Sequence, residues 1–137
     1  MLTEFAGGLV ATGGIEGLVL LTFALFIGHA LGDYPLQGAF LAASKNRNSD
    51  SDISFGNSEV PKGLWIHALS AHSLIQGGIV WMITGSALLG MVEFVIHWLT
   101  DFVRCENWIS FTSDQLIHLA CKVAFAIILC VGVAMPF

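Results

Sequence analysis

The chain has 137 residues, of which 55% are hydrophobic and only 11% are charged, and its formal net charge is −5. A soluble domain usually carries about twice that share of charged residues, so the composition excludes an ordinary soluble domain and indicates an integral membrane protein. The five basic residues are scattered along the chain, which argues against nucleic acid as a partner and leaves membrane lipid as the expected one.

The length predicts a single domain. Within it, the hydrophobic pattern predicts four membrane spans and one long polar loop. Spans of about 20 residues match the ~30 Å thickness of the hydrocarbon core, so the expected fold is all-α, a four-transmembrane-helix bundle. The predicted spans cover residues 14–36, 63–84, 87–104 and 114–134, and the loop covers residues 38–62.

Local signals refine these boundaries. Pro35 is expected to disturb the first helix near its end, since proline cannot continue a helix. The start of the polar loop, around Phe40 and Leu41, is expected to continue as a helix at the membrane interface. Ser113 or Asp114 is predicted to cap the last span, because both residue types favour the N-cap position.

The basic residues predict the orientation. Lys45, Arg47 and Lys62 lie in the first loop, and Arg104 ends the third span. With four spans these positions share one side of the membrane, and the positive-inside rule makes that side cytoplasmic. The predicted location is therefore the inner (cytoplasmic) membrane, with both termini on the non-cytoplasmic side.

The third span carries Glu93, His97 and Asp101 at intervals of four residues. This spacing stacks the three side chains along one face of a helix. Ionisable groups at membrane depth are costly, and they are by default candidates for a functional site.

Two of the other three predicted helices repeat this feature. His29 and Asp33 are four residues apart in the first span, and Asp114, His118 and Lys122 follow the same spacing in the last. With a rise of 1.5 Å per residue, all these groups fall in the cytoplasmic half of the predicted spans. We therefore expect a shared pocket of His, Asp and Glu side chains there, with an outer half nearly bare of charge.

Imidazole and carboxylate together suit a divalent metal, with zinc favoured and iron or manganese as alternatives. Helix bundles commonly build such sites from pairs spaced by three or four residues. Glu93 is expected to act as a general base or bridging ligand, and Lys122 to act in catalysis or to pair with Glu93. The candidate ligands are His29, Asp33, His67, His72, His97, Asp101 and His118, enough for two ions.

Segments that contain these residues resemble a known protein family. The segments 29–37 (HALGDYPLQ), 93–101 (EFVIHWLTD) and 114–118 (DQLIH), with His67, His72 and Lys45, resemble a family of small bacterial and phage-encoded integral membrane proteins classed as a domain of unknown function. The chain is also distantly similar to membrane-embedded metal-dependent hydrolases. That resemblance implies metal-assisted hydrolysis at the membrane.

The function predicted first is a metal-dependent hydrolase acting at the membrane surface on a phosphoester or an amide. A transporter or channel for metal ions or protons is the second hypothesis, because chains of Asp, Glu and His also serve such paths. The third is a non-enzymatic scaffold that assembles with a partner or with itself, so a homo-oligomer is left open.

Overall fold

The computed structural model describes residues 14–49 and 60–132, which form five α-helices and, within those ranges, no strand. This confirms the all-α prediction. The helices are α1 (Gly14–Asp33), α2 (Gly38–Ser44), α3 (Leu64–Thr84), α4 (Ala87–Cys105) and α5 (Phe111–Cys130). The predictions for both termini, for most of the polar loop and for the last residues of the fourth span concern residues 1–13, 50–59 and 133–137, which lie outside the described residues.

Three helices of the described chain, α1, α3 and α5, are long and apolar enough to cross a membrane, which indicates a membrane protein. The predicted number of four spans is wrong by this measure. The difference lies in α4, which carries Glu93, Asp101 and Arg104 within its 19 residues. The fold buries both acidic side chains of α4 against the other long helices.

The helix ends follow local chemistry, with one departure from the prediction. Helix α1 ends at Asp33, two residues before Pro35, as expected for a residue that disrupts the helix. Helix α5 begins earlier than predicted, because its N-cap is Ser110 and not Ser113 or Asp114. The Ser110 hydroxyl accepts a hydrogen bond from the Ser113 amide at 3.0 Å.

Helices α3 and α4 form a tight antiparallel hairpin. Gly85, at φ 74°, ends α3 in the left-handed conformation that glycine adopts readily, and Ser86 caps α4. Further along, Gly77 and Gly90 bring the two backbones together. A Cβ atom on Gly77 would lie 2.6 Å from the Gly90 carbonyl oxygen, so only glycine permits this approach.

The long helices pack in a closed ring, in which α1 and α4 each contact both α3 and α5. Neighbouring helices run antiparallel, so the first halves of α1 and α4 lie level with the second halves of α3 and α5. These halves form an apolar layer, and the opposite halves hold the polar side chains. The apolar layer consists of Leu21, Leu25, Val80, Leu89, Phe125 and Ala126.

Candidate metal centre

The polar layer receives buried histidine or carboxylate side chains from all four long helices. Helix α1 provides His29 and Asp33, which lie on one face because they are four residues apart. Helix α3 provides His72, and α4 provides the predicted stripe of Glu93, His97 and Asp101. Helix α5 adds Asp114, His118 and Lys122 at the same level.

A first group of donor atoms converges between α1, α3 and α4. The Nε2 atoms of His72 and His97 lie 3.1 Å apart. Asp33 Oδ1 is 3.4 Å from His72 Nε2 and 3.7 Å from His97 Nε2. Asp101 Oδ2 lies 3.4 Å and 3.8 Å from the same two nitrogens. Donors of a tetrahedral ion with bonds of 2.0–2.1 Å lie roughly 3.3 Å apart, so Asp33, His72 and His97, whose donor atoms all lie within 4.8 Å of one another, could share one ion.

Glu93 orients the His97 ring. Its Oε1 lies 3.1 Å from His97 Nδ1, on the side of the ring away from His72. The carboxylate accepts a hydrogen bond from Nδ1–H, which leaves the Nε2 lone pair facing His72 and Asp33. Lys122 donates a 2.5 Å hydrogen bond to the same Glu93 oxygen, and both side chains are fully buried. A carboxylate behind a ligating histidine is the usual arrangement around a protein-bound metal.

Two glutamines hold Asp33 in place. Gln76 of α3 donates to Asp33 Oδ1 at 2.5 Å and to the His29 carbonyl oxygen at 3.3 Å. Gln115 of α5 donates to Asp33 Oδ2 at 2.9 Å. Gly32 makes room for Gln76, because a Cβ atom at this position would collide with its amide. The carboxylate is therefore fixed from two sides.

A second group lies beside the first, between α4 and α5. The Nε2 atom of His118 is 3.5 Å from Asp101 Oδ1 and 3.5 Å from Asp114 Oδ1. The His118 ring stacks on the His97 ring, with centroids 4.0 Å apart. His29 lies on the other side, its ring centroid 5.2 Å from that of His118.

A polar cavity of about 210 Å³ reaches the carboxylates from the end of the helices. Lys45 lines it and donates a 2.6 Å hydrogen bond to Asp101 Oδ2. Arg104 also lines it, and its buried Nε atom has no hydrogen-bond partner within residues 14–49 and 60–132. The cavity is therefore bordered by carboxylates and by two cationic side chains. Its polar lining residues include Asp33, Gln37, Lys45, Asp101, Arg104 and Asp114.

The segment that follows α2 is hydrogen-bonded to the end of α4. Arg47 donates two hydrogen bonds to the Glu106 carboxylate, at 2.7 Å and 2.8 Å, and its guanidinium lies over the rings of Trp65 and Phe102. The hydrogen bond from Arg47 lowers the pKa of Glu106, and the carboxylate raises the pKa of Arg47. Asn48 adds a bond to the Cys105 carbonyl oxygen at 3.1 Å. We call residues 45–49 the strap.

A comparison with protein families gives a match that covers every residue of the cluster. The profile of this family, described as protein of unknown function (DUF3307), matches residues 21–135. The chain belongs to this family. No curated protein and no solved structure matches it.

In this DUF3307 protein, the structure brings together six of the seven predicted ligands. The exception is His67, which is exposed near the start of α3 and lies outside the converging groups of described residues. It precedes His72 by five residues, a rotation of about 140° round the helix, so the two side chains leave on different faces. The residues that converge are His29, Asp33, His72, His97, Asp101 and His118.

Asp114 joins the cluster although it was not among the predicted ligands. Its spacing of four from His118 was the available signal, the same one that singled out His97 and Asp101. Gln76 also lies four residues after His72, and Gln115 lies three residues before His118, but an amide in a helix is more often structural. Their role follows from the position of Asp33 between α3 and α5.

Proposed function

We propose that this protein is a membrane-embedded metalloenzyme that hydrolyses a phosphoester at the membrane surface. One observation carries the proposal. Three donor atoms, from Asp33, His72 and His97, all lie within 4.8 Å of one another, and Asp101 Oδ2 lies 3.4 Å and 3.8 Å from the two histidine nitrogens, so these residues could hold one divalent ion. Two of these residues, Asp33 and Asp101, also line the cavity, so a molecule in the cavity would reach the ion.

The donor set favours a borderline or hard ion. Two imidazoles with two carboxylates suit zinc first, and iron or manganese next. Such an ion would act as a Lewis acid on a phosphoryl or carbonyl oxygen. The protein supplies the geometry, since Glu93 sets the His97 tautomer while Gln76 and Gln115 hold Asp33.

The cavity supports a phosphoester in preference to an amide. Lys45 and Arg104 place two positive side chains beside the carboxylates, and the Arg104 Nε atom is free to donate, as judged from the described residues. Arginine and lysine are the usual partners of phosphate oxygens. The helices that could cross a membrane, α1, α3 and α5, frame the cluster, so a lipid-linked substrate fits the position of the cavity.

The geometry supports positioning roles for Glu93 and Lys122. Both are fully buried, they bond each other, and neither lines the cavity. Glu93 faces the nitrogen of His97 that points away from the converging donors. Loss of such an outer partner typically lowers metal affinity by about 10–100-fold. Glu93→Gln should therefore weaken metal binding by that factor in a metal titration, without abolishing it.

The orientation is also part of the proposal. Lys45, Arg47 and Arg104 lie at the end of the helices where the cavity opens, and the positive-inside rule assigns this end to the cytoplasm. The start of α1 and the end of α5 lie at the opposite end of the bundle. Both termini would then lie on the outer side. Labelling of cysteines introduced at Asn48 and at Ser86, in intact cells and after permeabilisation, tests this assignment.

The experiment for the activity starts from elemental analysis of the detergent-purified protein. Stoichiometric zinc, iron or manganese is expected. The metal-loaded protein is then assayed with phosphatidate and with lipid diphosphates in mixed micelles, and release of inorganic phosphate is measured. Metal-free protein with an intact fold would overturn the proposal, and metal-loaded protein that releases no phosphate from either class would overturn the hydrolase.

Transport of metal ions or protons is the alternative, and the apolar layer weighs against it. Leu21, Leu25 and Phe125 fill the space beyond the polar cluster, so the described residues offer no continuous polar path along the helices. Ion flux into proteoliposomes that is abolished in Glu93→Gln would favour transport over hydrolysis. A scaffold role, as a homo-oligomer or with a partner, would be favoured if a His29/His97 double variant kept full function in the cell.

A further inference from the structure

We infer that the cluster holds two metal ions, bridged by the carboxylate of Asp101. The inference rests on the proposed metal site formed by Asp33, His72, His97 and Asp101, and adds a second site beside it. The ligands of the second site are Asp101, Asp114 and His118, with His29 as the fourth candidate donor. Their donor atoms come from α1, α4 and α5.

The first argument for the second site is the distances between its donor atoms. The donor atoms of Asp101, Asp114 and His118 all lie within 4.8 Å of one another. His118 Nε2 is 3.5 Å from an oxygen of each carboxylate, too far for a good hydrogen bond. It is close to the roughly 3.4 Å that separates two ligands of one ion with bonds of 2.0–2.2 Å. The spacing is therefore that of coordination.

The second argument for this site is the number of buried polar atoms without a hydrogen-bond partner. Both ring nitrogens of His118, both ring nitrogens of His29 and the Oδ1 atom of Asp114 have no hydrogen-bond partner in the described parts of the chain. All three side chains are at least 97% buried. A buried polar atom without a partner costs about 1–3 kcal/mol, so several of them in one place need a ligand. A cation satisfies lone pairs of imidazole and carboxylate alike.

Asp101 links the two sites through its two oxygens. Its Oδ2 atom faces His72 and His97, and its Oδ1 atom faces His118. A carboxylate divided in this way can bind one ion with each oxygen. Paired ions about 3.5–4 Å apart are typical of phosphoester hydrolases, where they hold the attacking and leaving oxygens.

Charge indicates the substrate that two ions would take. The carboxylates of Asp33, Asp101 and Asp114 carry three negative charges, and Lys45 donates a hydrogen bond to Asp101. The fully buried Lys122 is paired with Glu93. The first divalent ion and Lys45 would balance the three carboxylates, so a second divalent ion would leave the cluster with a net positive charge. With two ions in place, an anionic phosphoester becomes the matching substrate.

The test is the metal content of the full-length protein after reconstitution with Mn²⁺ and removal of free ion. Two ions per chain are expected, with an electron paramagnetic resonance signal showing exchange between two Mn²⁺ centres. His118→Phe, which keeps a ring to stack on His97, should retain one ion and lose the exchange signal. His67→Phe is the matched control, since His67 is exposed, and it should retain both ions.

Asp114→Asn is the second variant and changes no volume. It should also drop to one ion, so the inference is tested even if His118→Phe does not fold. One ion in the wild type, unchanged in Asp114→Asn, would overturn the second site and leave the proposed function standing. A wild type without any bound Mn²⁺ or other metal would overturn both.

Discussion

The Nε2 atoms of His72 and His97 face each other at 3.1 Å in the centre of the helix ring. Without a metal, the proton of an N–H···N hydrogen bond between them must lie on His72, because His97 directs its Nδ1–H at Glu93. His72 Nδ1 would then be a lone pair without a partner among the described residues, in a fully buried side chain. A metal ion between them would replace this hydrogen bond and take both Nε2 atoms as ligands, with the proton of His72 on Nδ1. The pair is therefore the natural place to test metal binding.

Replacement of either histidine should remove the ion of the first site. We expect His72→Phe and His97→Phe to weaken binding by more than the roughly 10–100-fold that loss of an outer partner costs. His67→Phe lies on the same helix as His72 but is exposed, so it should bind metal like the wild type. Zinc titration of the purified variants measures the difference, and equal affinities for His67→Phe and His72→Phe would contradict the prediction.

Metal removal should lower stability. An ion held by side chains from several helices would bind the folded protein alone, and saturation at 100 times the dissociation constant would stabilise it by about 2.7 kcal/mol. A chelator should therefore lower the melting temperature of the wild type in detergent, and added zinc should restore it. A double variant, His72→Phe with His118→Phe, serves as the control and should not respond to the chelator. A wild-type melting temperature that ignores the chelator would contradict metal binding in the fold.

The buried pair of Glu93 and Lys122 should show strong coupling. Lys122→Met alone leaves a buried carboxylate facing His97 without its cation, which costs about 3–5 kcal/mol. Addition of Glu93→Leu removes the orphaned charge, and the double variant should be more stable than Lys122→Met. The double-mutant cycle is measured by unfolding in mixed micelles. Costs that simply add would show that the two charges do not stabilise each other.

Replacement of two adjacent glycines of α3 by alanine should change the free energy of unfolding in opposite directions. Gly77→Ala places a Cβ atom 2.6 Å from the Gly90 carbonyl oxygen, and such overpacking costs about 1–3 kcal/mol. A Cβ atom added to Gly78 would meet no heavy atom of the described chain, so Gly78→Ala should gain up to ~1 kcal/mol from helix propensity. Unfolding free energies of the two variants check this. Equal effects would mean that α3 and α4 do not pack as closely as described.

The strap should loosen in acid. The hydrogen bond from Arg47 lowers the pKa of Glu106 below its ordinary value of 4.5, so the ion pair stabilises the folded state at neutral pH. This stabilisation is lost as the pH falls through the lowered pKa. Amide exchange of residues 45–49, corrected for the intrinsic pH dependence, should rise below pH 4.5.

Glu106→Gln should have the same effect at neutral pH, where trypsin should cleave after Arg47 faster than in the wild type. Glu16→Gln provides the matched control, since Glu16 is exposed at the other end of α1. Wild-type cleavage rates in Glu106→Gln would show that the strap is held by Asn48 and by the ring contacts of Arg47 alone.

Much of the fold could be predicted because its signals are local. Apolar runs predicted the four long helices to within a few residues, and Pro35 marked the end of α1. The start of α5 was missed because Ser110 and Ser113 are both good caps, and only the hydrogen bond of the folded chain selects one of them. The span count was missed because α4 carries three charged residues, of which the fold buries Glu93 and Asp101.

The sequence by itself determined the helical class and the stripes of ionisable residues, since both follow from the 3.6-residue period of a single helix. It placed Glu93, His97 and Asp101 on one face. The tertiary structure decided which residues of different helices meet, admitting Asp114 and leaving out His67. That choice depends on how each helix is rotated about its axis. The rotation is set by packing between helices, as where Gly77 meets Gly90, and no local pattern encodes it.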